Sequence, residues 1–286
     1  VLITRRPTVN AGVATANPAM VCAGLNSSMI TLAGNNQPII GWEMSANPAF
    51  TPSTPIFNTS SVLNVSNLNQ TMYYRAVVQG PFCGPRFSVS AAVEVSQPSV
   101  GGTASGAATV CSGTNSGAVS LSGNVGNVVR WETSLSPTFT PATPNPATTL
   151  SLNYASLTQT TYYRAVVKNG ACAEVFSAPV AVMVVGPSFA GTITGNFRVC
   201  SGIGSTELIL TGNNCDVIRW ESSIDGFVST TTLSNPTATL TVSGLTASRA
   251  YRAVVKCGPC SEATSAPVVV DVDQVSQGGT LAGNAT

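Results

Sequence analysis

The chain has 286 residues, with 12 Lys plus Arg against 11 Asp plus Glu and only 8% of residues charged, so it lacks the basic face that displaces counterions from nucleic-acid phosphates. It contains no histidine, which removes the commonest general base and the commonest metal ligand together. Its hydrophobic residues, 43% of the total, fall in short alternating runs well below the roughly 18 to 20 of a membrane span.

In chain order, the first feature is an echo of a later one. VLITRRPTVNAG aligns with VAVMVVGPSFAG at 180 to 191, so residues 1 to 6 read as the last strand of a preceding repeat, with no ordered secretion signal. A first repeat, 7 to 98, carries Cys22, Trp42, Tyr74, Arg75 and Cys83. These markers return at Cys111, Trp131, Tyr163, Arg164 and Cys172, each 89 residues on, in a second repeat, 99 to 187. They return again at Cys200, Trp220, Tyr251, Arg252 and Cys260, 88 or 89 residues further, in a third, 188 to 276. GGTLAGNAT at the end matches GGTASGAAT at 101 to 109, so residues 277 to 286 read as the start of a following repeat. Independent markers in common register make the chain a tandem array.

Within the second repeat, residues 118–123, 128–134, 148–154, 161–167 and 178–185 are short, β-branched or aromatic, and bounded by Gly, Asn, Pro or Ser. No window shows a capped helical period. About seven short strands in a repeat of this size predict an all-β, immunoglobulin- or fibronectin-III-like sandwich. Trp42, Trp131 and Trp220 are expected in its core with Tyr74, Tyr163 and Tyr251. Leu157 with Tyr163, Leu68 with Tyr74 and Leu245 with Tyr251 have the spacing of a tyrosine corner, although Met72 and Arg249 replace the threonine of Thr161. An inward Trp puts its neighbours outward, predicting cross-strand ion pairs Glu43 with Arg75, Glu132 with Arg164 and Glu221 with Arg252, worth about 0.2 to 1 kcal/mol each.

The cysteines carry the most chemistry. Two per repeat, 61, 61 and 60 residues apart, predict bonds Cys22 to Cys83, Cys111 to Cys172 and Cys200 to Cys260. Cys215 and Cys257 remain; they fall in turns expected at one end of a sandwich, which predicts a fourth bond between them. Cys257-Gly-Pro-Cys260 has the spacing of a thiol-disulfide exchange centre, but it lacks the βαβ setting and the helix N-terminus that would lower a thiol pKa. Four-cysteine zinc binding by Cys200, Cys215, Cys257 and Cys260 is the competing chemistry, and the sister repeats, with two cysteines each, have no means to copy it. Asp271 and Asp273 near a repeat boundary suggest calcium, but the matching positions Val182 and Val184 are apolar and calcium wants about six to eight oxygens. No nucleophile and base pair is visible, so neither catalysis nor a cofactor is expected. Disulfides imply an oxidising, extracellular location.

The Thr/Pro-rich stretches 47–57 and 136–149 are expected on the surface, as sugar attachment or as protected edges. Short joints at Arg6-Pro7-Thr8, Gln97-Pro98-Ser99, Gly186-Pro187-Ser188 and Val275-Ser276-Gln277 predict limited swing between repeats and an extended rod.

The pattern G-G-T-x-x-G-x-x-x-V-C-S-G, then R-W-E-x-S, T-x-Y-Y-R-A-V-V and a second Cys, resembles the tandem immunoglobulin-like repeats of giant secreted surface proteins of Bacteroidota, such as the gliding-motility adhesins exported by type IX secretion. The resemblance covers essentially the whole chain. It implies the shaft of a cell-surface filament used in adhesion or gliding motility. The first repeat departs from it, with one extra residue before Cys22 and with Gly41 in place of Arg130 and Arg219. The expected partners are neighbouring repeats of the same polypeptide, with other filaments or surface polysaccharide as further candidates, and neither nucleic acid nor membrane insertion in this segment. The alternative is a polysaccharide-binding or spacer module of a secreted multidomain enzyme or lectin. That role needs exposed aromatic platforms, for which Tyr73 and Tyr162 are the outward candidates.

Overall fold

A computed structural model describes residues 8–80, 84–276 and 278–279. Residues 1–6, most of 277–286 and Cys83 lie outside the described residues. Among those described, every regular element is a strand, and no helix is long and apolar enough to cross a membrane.

The first repeat contains β1 (Val13–Asn17), β2 (Met20–Cys22), β3 (Ser27–Ala33), β4 (Ile39–Ser45), β5 (Thr54–Ile56), β6 (Val62–Ser66), β7 (Met72–Val78), β8 (Arg86–Phe87) and β9 (Ala91–Ser96). The second repeats the plan with β10 (Thr103–Ser105), β11 (Ala108–Cys111), β12 (Ser116–Ser122), β13 (Asn127–Ser134), β14 (Thr143–Asn145), β15 (Ser151–Ala155), β16 (Thr161–Lys168), β17 (Val175–Phe176) and β18 (Val180–Val185). The third follows with β19 (Thr192–Gly195), β20 (Arg198–Cys200), β21 (Ser205–Thr211), β22 (Asp216–Ser223), β23 (Thr231–Leu233), β24 (Thr239–Ser243), β25 (Arg249–Lys256), β26 (Ala263–Thr264) and β27 (Val268–Asp273). Each repeat makes a three-stranded sheet, such as β19-β21-β24, and a six-stranded one, such as β20-β27-β25-β22-β23 with β26 beside β25. This is a tandem array of immunoglobulin/fibronectin-III-like sandwiches.

Nine strands appear per repeat where about seven were expected. The additional ones are two to four residues long, too short to show an alternating period. Where a strand is long enough, alternation sets its faces: in β21, Thr206, Leu208 and Leu210 are buried while Glu207 and Ile209 point away. A register shift then re-aims the tryptophan strand at the same place in every repeat, between Ile39 and Gly41, Val128 and Arg130, and Val217 and Arg219. Strict alternation from the buried Val128 would turn Arg130 inward; the bulge substitutes Trp131.

Trp42, Trp131 and Trp220 are 1%, 0% and 0% exposed, and each indole Nε1 donates to a backbone carbonyl, of Ser60, Thr149 and Thr237. In the first repeat Trp42 and Tyr74 sit in one cluster with Ile30, Leu63, Val78 and Val93. In the third, Trp220 and Tyr251 cluster with Leu208, Leu210, Val255 and Val270. By contact the chain divides into two compact units, Val1–Gly106 with Ala118–Leu152 and Tyr162–Val180, and Ala107–Gly117 with Asn153–Thr161 and Ala181–Thr286. Strands of the second repeat therefore contribute to both.

Candidate inter-repeat junctions

The recurring cysteines do not pair within their repeats. Cys22 is bonded to Cys172 and Cys111 to Cys260, which overturns the expected bonds Cys22 to Cys83, Cys111 to Cys172 and Cys200 to Cys260. The reason lies in strand direction. In the third repeat β20 runs parallel to β27, bringing Cys200 opposite Asp273 at their C-terminal ends, whereas β25 runs antiparallel to β27. The chain leaving β25 towards Cys257 and Cys260 is thus at the other end of the sheet. The six residues of β27 span about 20 Å, and a disulfide tolerates a Cα separation of only about 7 Å. The first repeat has the same arrangement, β2 parallel to β9 and β9 antiparallel to β7.

What lies within reach of Cys22 is the next repeat's loop after β16, because the chain leaving β9 at Ser96 runs straight into the joint. There Ser99 Oγ donates to Ala173 O at 2.7 Å and accepts from Asn169 N at 2.9 Å, while Asn169 Nδ2 donates to Gln97 O at 2.7 Å. Cys172 Sγ lies 3.2 Å from the same Gln97 carbonyl. Gly170 takes φ 50°, and a Cβ there would collide with Ser96 Oγ, so the close approach needs glycine.

The second joint repeats the clasp within the other compact unit. Ser188 Oγ donates to Ser261 O at 2.7 Å and accepts from Cys257 N at 3.0 Å, and Cys260 Sγ lies 3.2 Å from Gly186 O. Asn214 Nδ2 adds a hydrogen bond to Pro187 O at 2.9 Å. Ser99 and Ser188 were invisible as functional residues in the sequence; their signal was a serine directly after the joint proline at both positions.

Cys215 is bonded to Cys257, and Cys200 is a free, exposed thiol. The four sulfurs considered for zinc are thus shared between two disulfides and one thiol, and Cys257 and Cys260 are each bonded elsewhere rather than to one another. Among the described residues no group of three Cys, Asp or Glu is placed to hold a metal ion. Asp273 pairs at 3.5 Å with Arg198.

The acidic and basic residues flanking Trp and Tyr meet in register. Glu43 faces Arg75, Glu132 faces Arg164 and Glu221 faces Arg252, each pair with an N to O distance of 2.7 Å. The sequence missed what surrounds them. Arg75 lies between the rings of Phe50 and Phe87, and Arg164 between Phe139 and Phe176, at 3.8 to 4.2 Å from the ring centroids. Among the described residues Arg252 has one such ring, Phe227, because Thr264 stands where Phe176 would be. Phe50 and Phe139 come from the Thr/Pro-rich stretches expected on the surface, yet are 5% and 6% exposed and hold positive φ of 54° and 56°. Burial of the ring and the cation–π contact favour this conformation, which bulky residues rarely adopt.

A second arginine extends the network in two repeats: Arg130 bridges Glu132 and Glu174, and Arg219 bridges Glu221 and Glu262. Gly41 and Pro85 leave the first repeat without it. Burial pushes the Glu221 carboxyl up, but hydrogen bonds from Arg252 and Arg219 outweigh it and hold the pKa below the ordinary value. The hydrogen bond from Arg219 likewise lowers Glu262. Tyr73 and Tyr162, the outward aromatics, are half-buried.

The profile of a family described as "Domain of unknown function (DUF8696)" matches residues 10–97, 100–186 and 189–274. No curated protein matches the chain. Similar solved structures include the FN1–FN3 domains of chicken CNTN1, at 9% identity and a TM-score of 0.33, covering 87% of this chain and 94% of that one. Immunoglobulin domains 1–5 of Sidekick-1 are similar at 11% identity and a TM-score of 0.41, covering 90% of this chain and 57% of that longer one.

Proposed function

We propose that this chain, which belongs to the DUF8696 family three times over, is a structural shaft segment of a long secreted filament at a cell surface, serving adhesion or gliding motility. In this reading the repeats run 7–98, 99–187 and 188–276. The observation that carries it is the joint: consecutive repeats are linked by a disulfide from the end of one sheet to the next repeat's loop, and each bond lies beside a serine clasp. Ordinary tandem domains are coupled by the linker alone, so a pull reaches the peptide backbone between them. Here a pull on the chain is shared by a second covalent path at both joints among the described residues. Such bonds persist where the surroundings are oxidising, which supports export.

Force spectroscopy on the chain with and without reductant tests the mechanical part. Bonds that bypass residues 22–172 and 111–260 keep part of the chain out of the stretched path. Reduction is expected to lengthen the fully extended chain by on the order of 50 nm; an unchanged contour length overturns the reading. Surface labelling of intact source cells, with and without deletion of the gene, tests the adhesive part. A selective polysaccharide ligand for the unreduced chain would favour the binding-module alternative instead.

A further inference from the structure

We propose that Cys200 is the bonding position for the second-cysteine loop of a further repeat of this family, joined in tandem after the third. The third sheet end is built like the two that already hold such a loop. Cys22, Cys111 and Cys200 each end a short strand paired in parallel with the last strand of the repeat, opposite Ser96, Val185 and Asp273. The next residue's amide donates to that opposite carbonyl at 2.9 Å in all three, from Ala23, Ser112 and Ser201. Two of these three thiols are bonded to a following repeat's loop, and the third is exposed and free.

The remaining parts of the clasp are also in register. Ser276 stands where Ser99 and Ser188 hold the incoming loop, and it is exposed. A Cβ on the glycine of the loop would face the residue two before the cysteine and the residue opposite the cysteine: Met20 and Ser96 at Gly170, and Thr109 and Val185 at Gly258. At the third end those places are Arg198 and Asp273, paired with one another at 3.5 Å. The two filled ends present neutral side chains there, so the third selects an incoming loop that meets an ion pair with backbone amides or polar groups. This inference rests on the reading of the chain as a stapled repeat array, and not on its role in adhesion.

Closure needs an oxidant. A small-molecule disulfide suffices: the Cys200 thiolate attacks one of its sulfurs and expels a thiolate, and the incoming cysteine's thiolate then displaces the second. Two protein thiols lose two electrons and two protons, one S–S bond forms, and the oxidant is reduced to two thiols.

The test uses the chain to residue 276 extended by a copy of residues 99–187, which brings only two cysteines. After refolding with oxidised and reduced glutathione, alkylation and tryptic mapping without reduction, Cys200 is expected in a disulfide with the copy's Cys172, leaving the copy's Cys111 alkylated. Replacing Cys200 with serine should then leave the copy's Cys172 alkylated. Cys200 remaining alkylated, or the copy's two cysteines bonded to one another, overturns the proposal. Because one appended sequence can fail to fold, a second extension carries residues 188–276, with Cys200 expected on that copy's Cys260. Failure here with intact Cys22 to Cys172 and Cys111 to Cys260 bonds leaves the shaft reading standing, whereas loss of those two bonds removes both.

Discussion

Cys22 is bonded to Cys172 across 150 residues of sequence, closing a ring that begins at the end of one repeat's sheet and ends in the next repeat's loop. On the chain-entropy account a ring of this size removes about 5 kcal/mol of unfolded-state freedom. Replacing both Cys22 and Cys172 by serine is expected to lower the unfolding free energy by several kcal/mol, on the order of 3 to 5, read by denaturant unfolding. Tryptic peptides of the unreduced parent settle the pairing independently, because Cys22, Cys83 and Cys172 fall in different peptides. A Cys22 to Cys83 species would refute it.

The Glu132 carboxylate uses both oxygens, Oε2 for Arg164 and Oε1 for Arg130, at 9% side-chain exposure. Glu43 has one arginine and is 20% exposed. Glu132→Gln should therefore destabilise by about 1.5 to 3 kcal/mol, and Glu43→Gln by visibly less. Equal losses in thermal melts would show that the second arginine contributes nothing.

Arg164 is also stacked between Phe139 and Phe176. Lysine keeps the charge and loses the flat, two-faced guanidinium, so Arg164→Lys should cost about 1 to 2 kcal/mol. Arg252→Lys, with one ring beneath it, should cost less in the same assay.

Gly170→Ala places a methyl group into Ser96 Oγ at positive φ. It is expected to weaken the first joint without touching either repeat's core: limited proteolysis should cut near residues 97–99 faster, while the near-ultraviolet tryptophan signal is retained.

Acid should unfold the third repeat through its carboxylates. Glu221 and Glu262 have folded pKa values below their ordinary ones, so their contribution is fully present above the unfolded value and is lost as pH falls through the folded one. Hydrogen bonds from Ser223 and Ser229 hold the Asp225 carboxyl at about 2. Arg219→Met should lower Tm at neutral pH, with the gap to the parent closing below about pH 4. A gap that stays constant with pH would contradict this.

Much was legible beforehand because repetition multiplies a weak signal. One Trp or one Tyr-Arg pair says little, but three at a common interval fix a repeat, and alternation within the longer runs fixes strands and their inner faces. Cross-strand neighbours such as Glu132 and Arg164 follow from inward Trp131 and Tyr163 once two strands are adjacent, since pairing is a local property of the sheet.

The cysteines show where that logic ends. Spacing along the chain carries no strand direction, and β2, β11 and β20 are too short to be read as strands at all, so nothing in the sequence says that a repeat's two cysteines leave opposite ends of one sheet. Likewise Phe139 reads as a loop residue until the fold bends its stretch back over Arg164. Composition and period determined that this protein is a string of β-sandwiches; three-dimensional adjacency, which depends on which way each strand runs, decided that the bonds tie each sandwich to the next.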